Sequence, residues 1–197
     1  MSKTLPHSFP QAIETVFLDR DGVLNQKMPE GRYVTRWDEF HILPGAADAI
    51  HLLNQSGIRV IIVSNQRGIA LGLYTVESVQ AIHRELQSLL NAHGAGVDGF
   101  YFCPHDYGTC NCRKPEPGMF EQAAADFPAI SATRSLMIGD SQSDIEFGRR
   151  LGMTTVFIGG DPQKRSPGSG AAHQRADLGY PSLYEAVIDL LSELRNR

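Results

Sequence analysis

The chain has 197 residues, of which 42% are hydrophobic and 20% charged, and its formal net charge is −4. This length and composition predict that residues 1–197 form a single globular domain. The acidic balance argues against nucleic-acid or anionic-membrane partners, and no apolar run approaches the ~20 residues of a membrane span. The N-terminal stretch does not resemble a secretory signal, so we expect a cytoplasmic protein.

Strand-like apolar runs alternate with helical segments along the chain. The predicted strands are 15–19, 59–65, 98–103, 134–140 and 154–160. The predicted helices are 44–57, 75–94, 117–127, 143–152 and 182–196. Residues 161–175 are rich in Pro, Gly and Ser, which predicts a flexible loop. The alternation predicts an α/β fold, with a Rossmann-like, mainly parallel sheet covered by helices on both faces.

Polar side chains follow the predicted strands at the points where they end. They are Asp19, Asp21, Ser64, Asn65, Arg113, Lys114, Asp140 and Asp144. Because ligands of such sheets bind beyond the carboxyl ends of the strands, we expect these groups to meet. Carboxylates that converge repel each other unless a cation lies among them, and oxygen ligands suit Mg²⁺. Asp19 and Asp140 are the natural Mg²⁺ ligands, with Asp144 supporting them through water or hydrogen bonds.

Each of these motifs has a simpler interpretation when taken alone. Asp19 and Asp21 could belong to a solvated turn, and Ser64 could simply end a strand. Arg113 and Lys114 could be an ordinary surface pair, and the run GDSQSD could be a helix cap. Their occurrence at successive strand ends favours a catalytic site for phosphoryl transfer, in which an aspartate attacks phosphorus.

Four segments carry a family resemblance that extends from about residue 14 to residue 160. FLDRDGVLN, VSNQ, RKPEPGMF and MIGDSQSD, in this order, resemble the four motifs of the haloacid dehalogenase-like phosphohydrolases. The resemblance implies that Asp19 is the nucleophile and a Mg²⁺ ligand. It implies that Asp21 is the general acid and base, with its backbone carbonyl on the metal. Ser64 would then steady the phosphoryl oxygens, Lys114 would neutralise the intermediate, and Asp140 would complete the Mg²⁺ site.

All cysteines of the chain fall in the run CPHDYGTCNC, at residues 103–112. Cys103, His105, Cys110 and Cys112 have the composition of a Cys₃His structural zinc site. The alternative is a flexible loop with three reduced thiols. Bound zinc would stiffen the loop and so fix Arg113 and Lys114 beside it. A zinc-dependent nucleic-acid module is the competing use of such a cluster, and the acidic balance argues against it.

CPH and CNCRKP narrow the resemblance to two subgroups of the family, the D,D-heptose 1,7-bisphosphate 7-phosphatases and the histidinol-phosphate phosphatases. NQRGIALGLYT and YVTRWDEFHILPGA are similar to the heptose subgroup. Ser64 departs from the pattern of the heptose subgroup, whose members often have Thr at this position. The short spacing between His105 and Cys110 also occurs in the histidinol subgroup. This resemblance implies removal of the 7-phosphate from a sugar bisphosphate, in the supply of heptose for lipopolysaccharide or related glycans.

The sequence has no insert large enough to form a separate cap domain, so loops would determine the substrate. By resemblance, Asn65, Gln66 and Arg67 would line the entrance and Arg113 would bind the distal phosphate. We expect a monomer. A histidinol-phosphate phosphatase remains one alternative. A non-catalytic, zinc-stabilised binding protein is the other, although such a protein would not need both the aspartates and Lys114.

Overall fold

The computed structural model describes residue 9 and residues 12–160 and 168–196, and a six-stranded parallel sheet forms its centre. The strands are β1 Thr15–Leu18, β2 Arg59–Asn65, β3 Gly99–Cys103, β4 Ser135–Gly139, β5 Thr154–Ile158 and β6 Leu178–Tyr180. Their order across the sheet is β3-β2-β1-β4-β5-β6, with β1 paired to both β2 and β4. The predicted parallel α/β fold is confirmed.

Helices cover both faces of this sheet. They are α1 Ala46–Gln55, α2 Val76–Ala92, α3 Gly118–Asp126, α4 Gln142–Leu151, α5 Ser169–Arg175 and α6 Leu183–Arg195. Short 3₁₀ turns at Trp37–Glu39 and Ala132–Arg134 complete the elements of the described residues. Because side chains alternate along a strand, Val16 and Leu18 pack with α1, α2 and α6, whereas Phe17 packs with α3 and α4. No helix among the described residues is long and apolar enough to cross a membrane.

The segment predicted as a flexible loop at 161–175 is partly helical. Residues 161–167 lie outside the described residues, but Ser169–Arg175 form α5, so that part of the prediction is wrong. Packing overrides composition here, because Ala172 is buried and the His173 ring stacks on Phe157 at 5.3 Å. The sixth strand, Leu178–Tyr180, is too short to be predicted from its sequence and depends on pairing with β5.

The N-terminus of α4 is brought close to the carboxyl end of β4. Ser141 begins the helix, and its backbone N–H and hydroxyl donate to Oδ2 of Asp144 at 3.0 and 2.6 Å. Gly139 permits this approach, because a Cβ there would lie 2.2 Å from Cβ of Asp144. The cap therefore fixes the Asp144 carboxylate above the end of the sheet.

Candidate active site

Three carboxylates meet at the carboxyl end of the sheet. Asp19 follows β1, Asp140 follows β4 and Asp144 lies in the first turn of α4. Each offers an oxygen atom that lies within 4.8 Å of an oxygen atom of the other two. All three side chains are buried, with Asp144 completely enclosed. The structure therefore brings together the three aspartates that the sequence placed after two separate strands, Asp19 after one and Asp140 and Asp144 after the other.

Two lysines contact this carboxylate cluster. Nζ of Lys114 lies 2.8 Å from Oδ1 of Asp19 and 2.6 Å from Oδ1 of Asp144, and it donates to the carbonyl oxygen of Val63 at 2.6 Å. Nζ of Lys27 donates to both oxygens of Asp140, at 2.9 and 2.6 Å. Although burial opposes a charged amine, the adjacent carboxylates raise the pKa of both lysines, so both stay protonated.

Even with these lysines, the carboxylates are incompletely neutralised. Burial raises the pKa of Asp19 to about 7, although the Lys114 ammonium opposes the rise. Burial likewise raises the pKa of Asp140 to about 6 against the effect of Lys27. A cation that bound among the carboxylates would offset this cost. The buried, all-oxygen donor set is that of a magnesium site.

Gly22 leaves space beside Asp140. Its φ of +101° lies in the left-handed region, and a Cβ at this position would come 2.4 Å from Oδ2 of Asp140. Any other residue would therefore be strained and would clash with the carboxylate. The glycine that follows Asp21 is thus required by the turn and by the carboxylate together.

Asp21 lies outside the three-carboxylate cluster and has a different environment. Its oxygens accept from Nη2 of Arg20 at 2.8 Å, from the Asn25 amide at 2.9 Å and from the Gln66 amide at 3.1 Å. Burial alone would raise the pKa of Asp21, but the Arg20 guanidinium and these hydrogen bonds lower it. Asp21 therefore ionises more readily than Asp19, two residues earlier.

The last residues of β2 and Gln66, which follows it, form a buried hydrogen-bond chain beside Asp21. Gln66 donates to Oγ of Ser64 at 2.6 Å and accepts from the Tyr74 hydroxyl at 2.7 Å. The Asn65 amide donates to the carbonyl of Lys114 at 3.1 Å and accepts from the Lys114 N–H at 3.0 Å. The amides of Asn65 and Gln66 thus position Lys114, Ser64 and Asp21.

A cavity of about 420 Å³ opens above these groups. Of the residues predicted for the site, its wall includes Asp19, Asp21, Ser64, Asn65, Gln66, Arg67, Arg113, Lys114 and Asp144. Asp140 does not line this cavity, and both of its oxygens face Lys27. The opening has room for a small, highly charged ligand, and its wall carries Lys27, Arg32, Arg67, Arg113 and Lys114 as well as the carboxylates.

A second cluster lies at the end of β3. The Sγ atoms of Cys103, Cys110 and Cys112 are 3.2 to 3.5 Å apart, and Nδ1 of His105 lies 3.2 Å from Sγ of Cys112 and 3.7 Å from that of Cys103. Tetrahedral zinc with bonds of about 2.3 Å needs ligand atoms about 3.5–3.8 Å apart. The four side chains therefore fit a zinc ion after only small shifts.

Known proteins similar to this chain share its fold over most of its length. A family model described as HAD-hydrolase-like matches residues 111–186. A D-glycero-alpha-D-manno-heptose-1,7-bisphosphate 7-phosphatase of Mycobacterium tuberculosis (strain CDC 1551 / Oshkosh) is 37% identical over 179 residues, covering 88% of this chain and 89% of that protein. The D-glycero-beta-D-manno-heptose-1,7-bisphosphate 7-phosphatase of Rhodopseudomonas palustris is 41% identical over 145 residues, which cover 70% of this chain and 78% of that protein.

A solved structure with a similar fold has a name of the same kind as these relatives. The D,D-heptose 1,7-bisphosphate phosphatase of B. bronchiseptica, complexed with magnesium and phosphate, superposes with a TM-score of 0.80 at 30% identity. The match covers 92% of this chain and 99% of that structure. The chain belongs to the haloacid dehalogenase-like phosphohydrolases. That structure contains magnesium, and the carboxylate cluster of this chain is an oxygen donor set that suits the same ion.

Several residues of this haloacid dehalogenase-like site were missed in the sequence. Arg20 is completely buried beneath Asp21, and Lys27, Arg32 and Tyr33 reach the cavity from the segment after β1. Tyr107 reaches it from the cysteine-rich loop. Arg20 lies between Asp19 and Asp21 in the sequence, and this position could have identified it as a residue of the site. The others lie on irregular loops, whose paths no periodic pattern predicts.

Proposed function

We propose that this protein is a Mg²⁺-dependent phosphatase that removes the 7-phosphate of D-glycero-D-manno-heptose 1,7-bisphosphate through an aspartyl-phosphate intermediate. The observation that carries the proposal is the meeting of Asp19, Asp21 and Lys114 below one small cavity. Relatives named for this reaction, which align over as much as 88% of the chain, support the choice of substrate.

The first half of the reaction uses the separate environments of the two aspartates. Lys114 engages Oδ1 of Asp19, and Oδ2 is the oxygen that attacks phosphorus. As the new O–P bond forms, the bond from phosphorus to the C7 oxygen breaks, and Asp21 gives its proton to the leaving oxygen. An anionic phosphoryl group bound beside Asp21 would favour its protonated form, against the Arg20 guanidinium and the hydrogen bonds that lower its pKa in the free site.

The second half regenerates Asp19. Ionised Asp21 takes a proton from water, whose oxygen attacks the phosphorus of the aspartyl-phosphate, and the bond from Oδ2 to phosphorus breaks. Arg20, Asn25 and Gln66 stabilise the ionised form of Asp21 that this step needs. Ser64 and Lys114 hold the phosphoryl oxygens in both halves.

Asp19, Asp140 and the backbone carbonyl of Asp21 would hold Mg²⁺, with Asp144 supporting the site from α4. When bound, the ion would neutralise the phosphoryl oxygens and the carboxylates together. Lys27 must leave Asp140 when the ion binds, because its ammonium contacts both carboxylate oxygens.

Zn²⁺ would occupy Cys103, His105, Cys110 and Cys112 as a structural ion. The four protein ligands complete a tetrahedron, so this ion would have no open position for substrate. Its effect would be mechanical, because the last ligand, Cys112, immediately precedes Arg113 and Lys114. Such a site requires reduced thiols, and this supports a cytoplasmic enzyme.

The remaining substrate contacts would come from the loops around the cavity. Asn65, Gln66 and Arg67 would line the entrance, and Arg113 would bind the distal phosphate. We further propose that residues 1–197 act as a single domain and a monomer, with a small sugar bisphosphate as its substrate. The product would then supply heptose for lipopolysaccharide or related glycans.

Phosphate release from a panel of substrates tests the proposal. The panel contains both anomers of the heptose bisphosphate, because the relatives include enzymes named for each. It also contains histidinol phosphate and simple hexose phosphates. We expect kcat/KM for one heptose bisphosphate anomer to exceed that for every monophosphate by at least about 100-fold. Preferred turnover of histidinol phosphate would overturn the substrate assignment, and absence of turnover would overturn the enzyme itself.

A further inference from the structure

Tyr107, in the cysteine-rich loop, contacts two guanidinium groups with its ring. Cζ of Arg67 is 4.6 Å and Cζ of Arg113 is 4.2 Å from the centroid of its ring. The Tyr107 side chain is 66% exposed, so core packing does not account for its position. Arg67 follows β2 and Arg113 follows the loop itself. The ring therefore connects two segments that border the same cavity.

The Asp106 side chain binds both Arg67 and the backbone of Tyr107. Its Oδ1 accepts from Nε of Arg67 at 2.5 Å and from the backbone N–H of Tyr107 at 2.7 Å. The hydroxyl of Thr109 donates to the Asp106 carbonyl at 2.9 Å and closes the turn. One carboxylate thus sets both the path of the loop and the direction of Arg67.

The arrangement keeps two like charges close together. Guanidinium groups repel each other, but each is attracted to a face of an aromatic ring, so Tyr107 offsets part of the repulsion. Nε and Nη1 of Arg113 are buried without a hydrogen-bond partner among the described residues. Unpaired buried donors are costly, and an anion bound beside Arg113 would reduce that cost.

The surroundings indicate on which side such an anion would bind. Arg113 and Tyr107 also border a neighbouring cavity of about 630 Å³, whose glutamates Glu116 and Glu146 are both paired with Arg150. Arg67 lines only the first of these two cavities, the one that contains Asp19. A second phosphate would therefore bind on the Arg67 side of Arg113.

We propose that Tyr107 is a positioning residue that holds Arg67 and Arg113 as a pair for the second phosphate, and so sets the preference for bisphosphates over monophosphates. This inference rests on the proposed function. It assigns specificity to a side chain that itself carries no charge. It also gives the cysteine-rich loop a direct part in substrate choice, because Tyr107 lies between His105 and Cys110.

Steady-state kinetics of three variants test this inference. Tyr107→Leu retains bulk without an aromatic face, Tyr107→Phe retains the face, and Leu73→Ala is a control at an exposed position outside the cavity. Substrates are the preferred heptose 1,7-bisphosphate anomer and heptose 7-phosphate. For Tyr107→Leu we expect KM for the bisphosphate to rise about tenfold, with kcat and the monophosphate parameters within about twofold of wild type. Tyr107→Phe and Leu73→Ala should match wild type.

Three outcomes would overturn the inference. An equal loss of kcat/KM for the bisphosphate and the monophosphate in Tyr107→Leu would show a merely structural role. A lower zinc content or a lower Tm of that variant would show such a role independently. Wild-type kinetics in Tyr107→Leu would show that the aromatic face is not needed. A raised KM for the bisphosphate in Tyr107→Phe would show that the aromatic ring without its hydroxyl does not hold the two arginines. Wild-type protein that hydrolyses neither heptose phosphate would instead refute the proposed function, before any variant is compared.

Discussion

At the scale of single residues, the site gives two nearby aspartates opposite properties. Asp19 has few donors besides Lys114 and is enclosed with Asp140 and Asp144, so its ionised form is costly. Asp21 accepts hydrogen bonds from three side chains and is easily ionised. The proposed nucleophile therefore needs a bound metal cation, whereas the proposed base is kept ionised by its own neighbours Arg20, Asn25 and Gln66, so surroundings rather than residue type separate the two.

Replacing the proposed nucleophile should stop turnover without harming the fold. We expect Asp19→Asn to lower kcat at least about 1000-fold, because the amide cannot form the aspartyl-phosphate. Its stability should not fall, because a costly buried charge is removed. Phosphate release and circular dichroism measure the two effects, with Asp38→Asn, at an exposed position, as the control. Residual activity above a few per cent would rule out this role of Asp19.

Lys27 should compete with Mg²⁺ for Asp140. In Lys27→Met the competing ammonium is absent, and we expect Mg²⁺ to bind about three- to tenfold more tightly. Calorimetric titration of Mg²⁺ without substrate measures this independently of turnover. Arg32→Met is the matched control, since Arg32 is a cation of the same cavity wall. Weaker Mg²⁺ binding in Lys27→Met would contradict the competition.

At the scale of elements, the strands were the predictable part of the site. Continuous apolar runs identified β1, β2 and β4, and the residues after each run were placed together by the parallel topology. α5 and β6 were not predicted, since both depend on packing against β5. Lys27 and Tyr107 were missed for a related reason. Their positions follow from turns and from ion pairs between distant segments, which one sequence does not encode as a pattern.

The cysteine-rich loop should behave as a metal-dependent element. We expect Cys110→Ser to lose most of one equivalent of zinc, because a hydroxyl is a poor substitute for a thiolate ligand. Tm should fall, and kcat/KM for the bisphosphate should fall at least about tenfold, since Arg113 and Lys114 adjoin the loop. Metal analysis of freshly purified protein gives the zinc content. Ser88→Ala, on the exposed side of α2, is a control for purification losses. Wild-type protein without zinc would contradict the structural site.

At the scale of the whole molecule, stability and function make opposite demands on the sheet. Both faces are closed by apolar clusters, whereas the carboxyl end gathers three buried aspartates and the buried Lys114. Burying charges is unfavourable, so the apolar packing of the rest of the fold must offset the cost of this end. The site should therefore reduce the stability of the protein until its cation is bound.

This conflict should appear as a pH dependence that Mg²⁺ removes. The pKa values of Asp19 and Asp140 are raised to about 7 and about 6, so the folded state binds protons more tightly than the unfolded state. Their contribution is complete below the unfolded pKa near 4 and is lost as pH rises through 6 to 7. Without Mg²⁺, we expect these two carboxylates to lower the free energy of unfolding by on the order of 1 kcal/mol or more between pH 5 and 7.5. Buried His83 acts in the opposite direction, because burial lowers its pKa to about 3, so its share of the stability grows as pH rises through 6.5. The effect of the carboxylates is therefore read from the difference between samples with and without Mg²⁺.

Urea unfolding at these two pH values, with and without Mg²⁺, measures the effect. Asp21 does not disturb the comparison, because its pKa is lowered and its contribution is lost only in more acidic solution. Saturating Mg²⁺ replaces the protons and should remove the fall in stability that the carboxylates cause, and Asp140→Asn should remove part of it without the ion, while the contribution of His83 is the same in all samples. The same slope in all three samples would show that the buried carboxylates do not reduce stability. That result would contradict the proposal that the site reduces the stability of the protein until Mg²⁺ is bound.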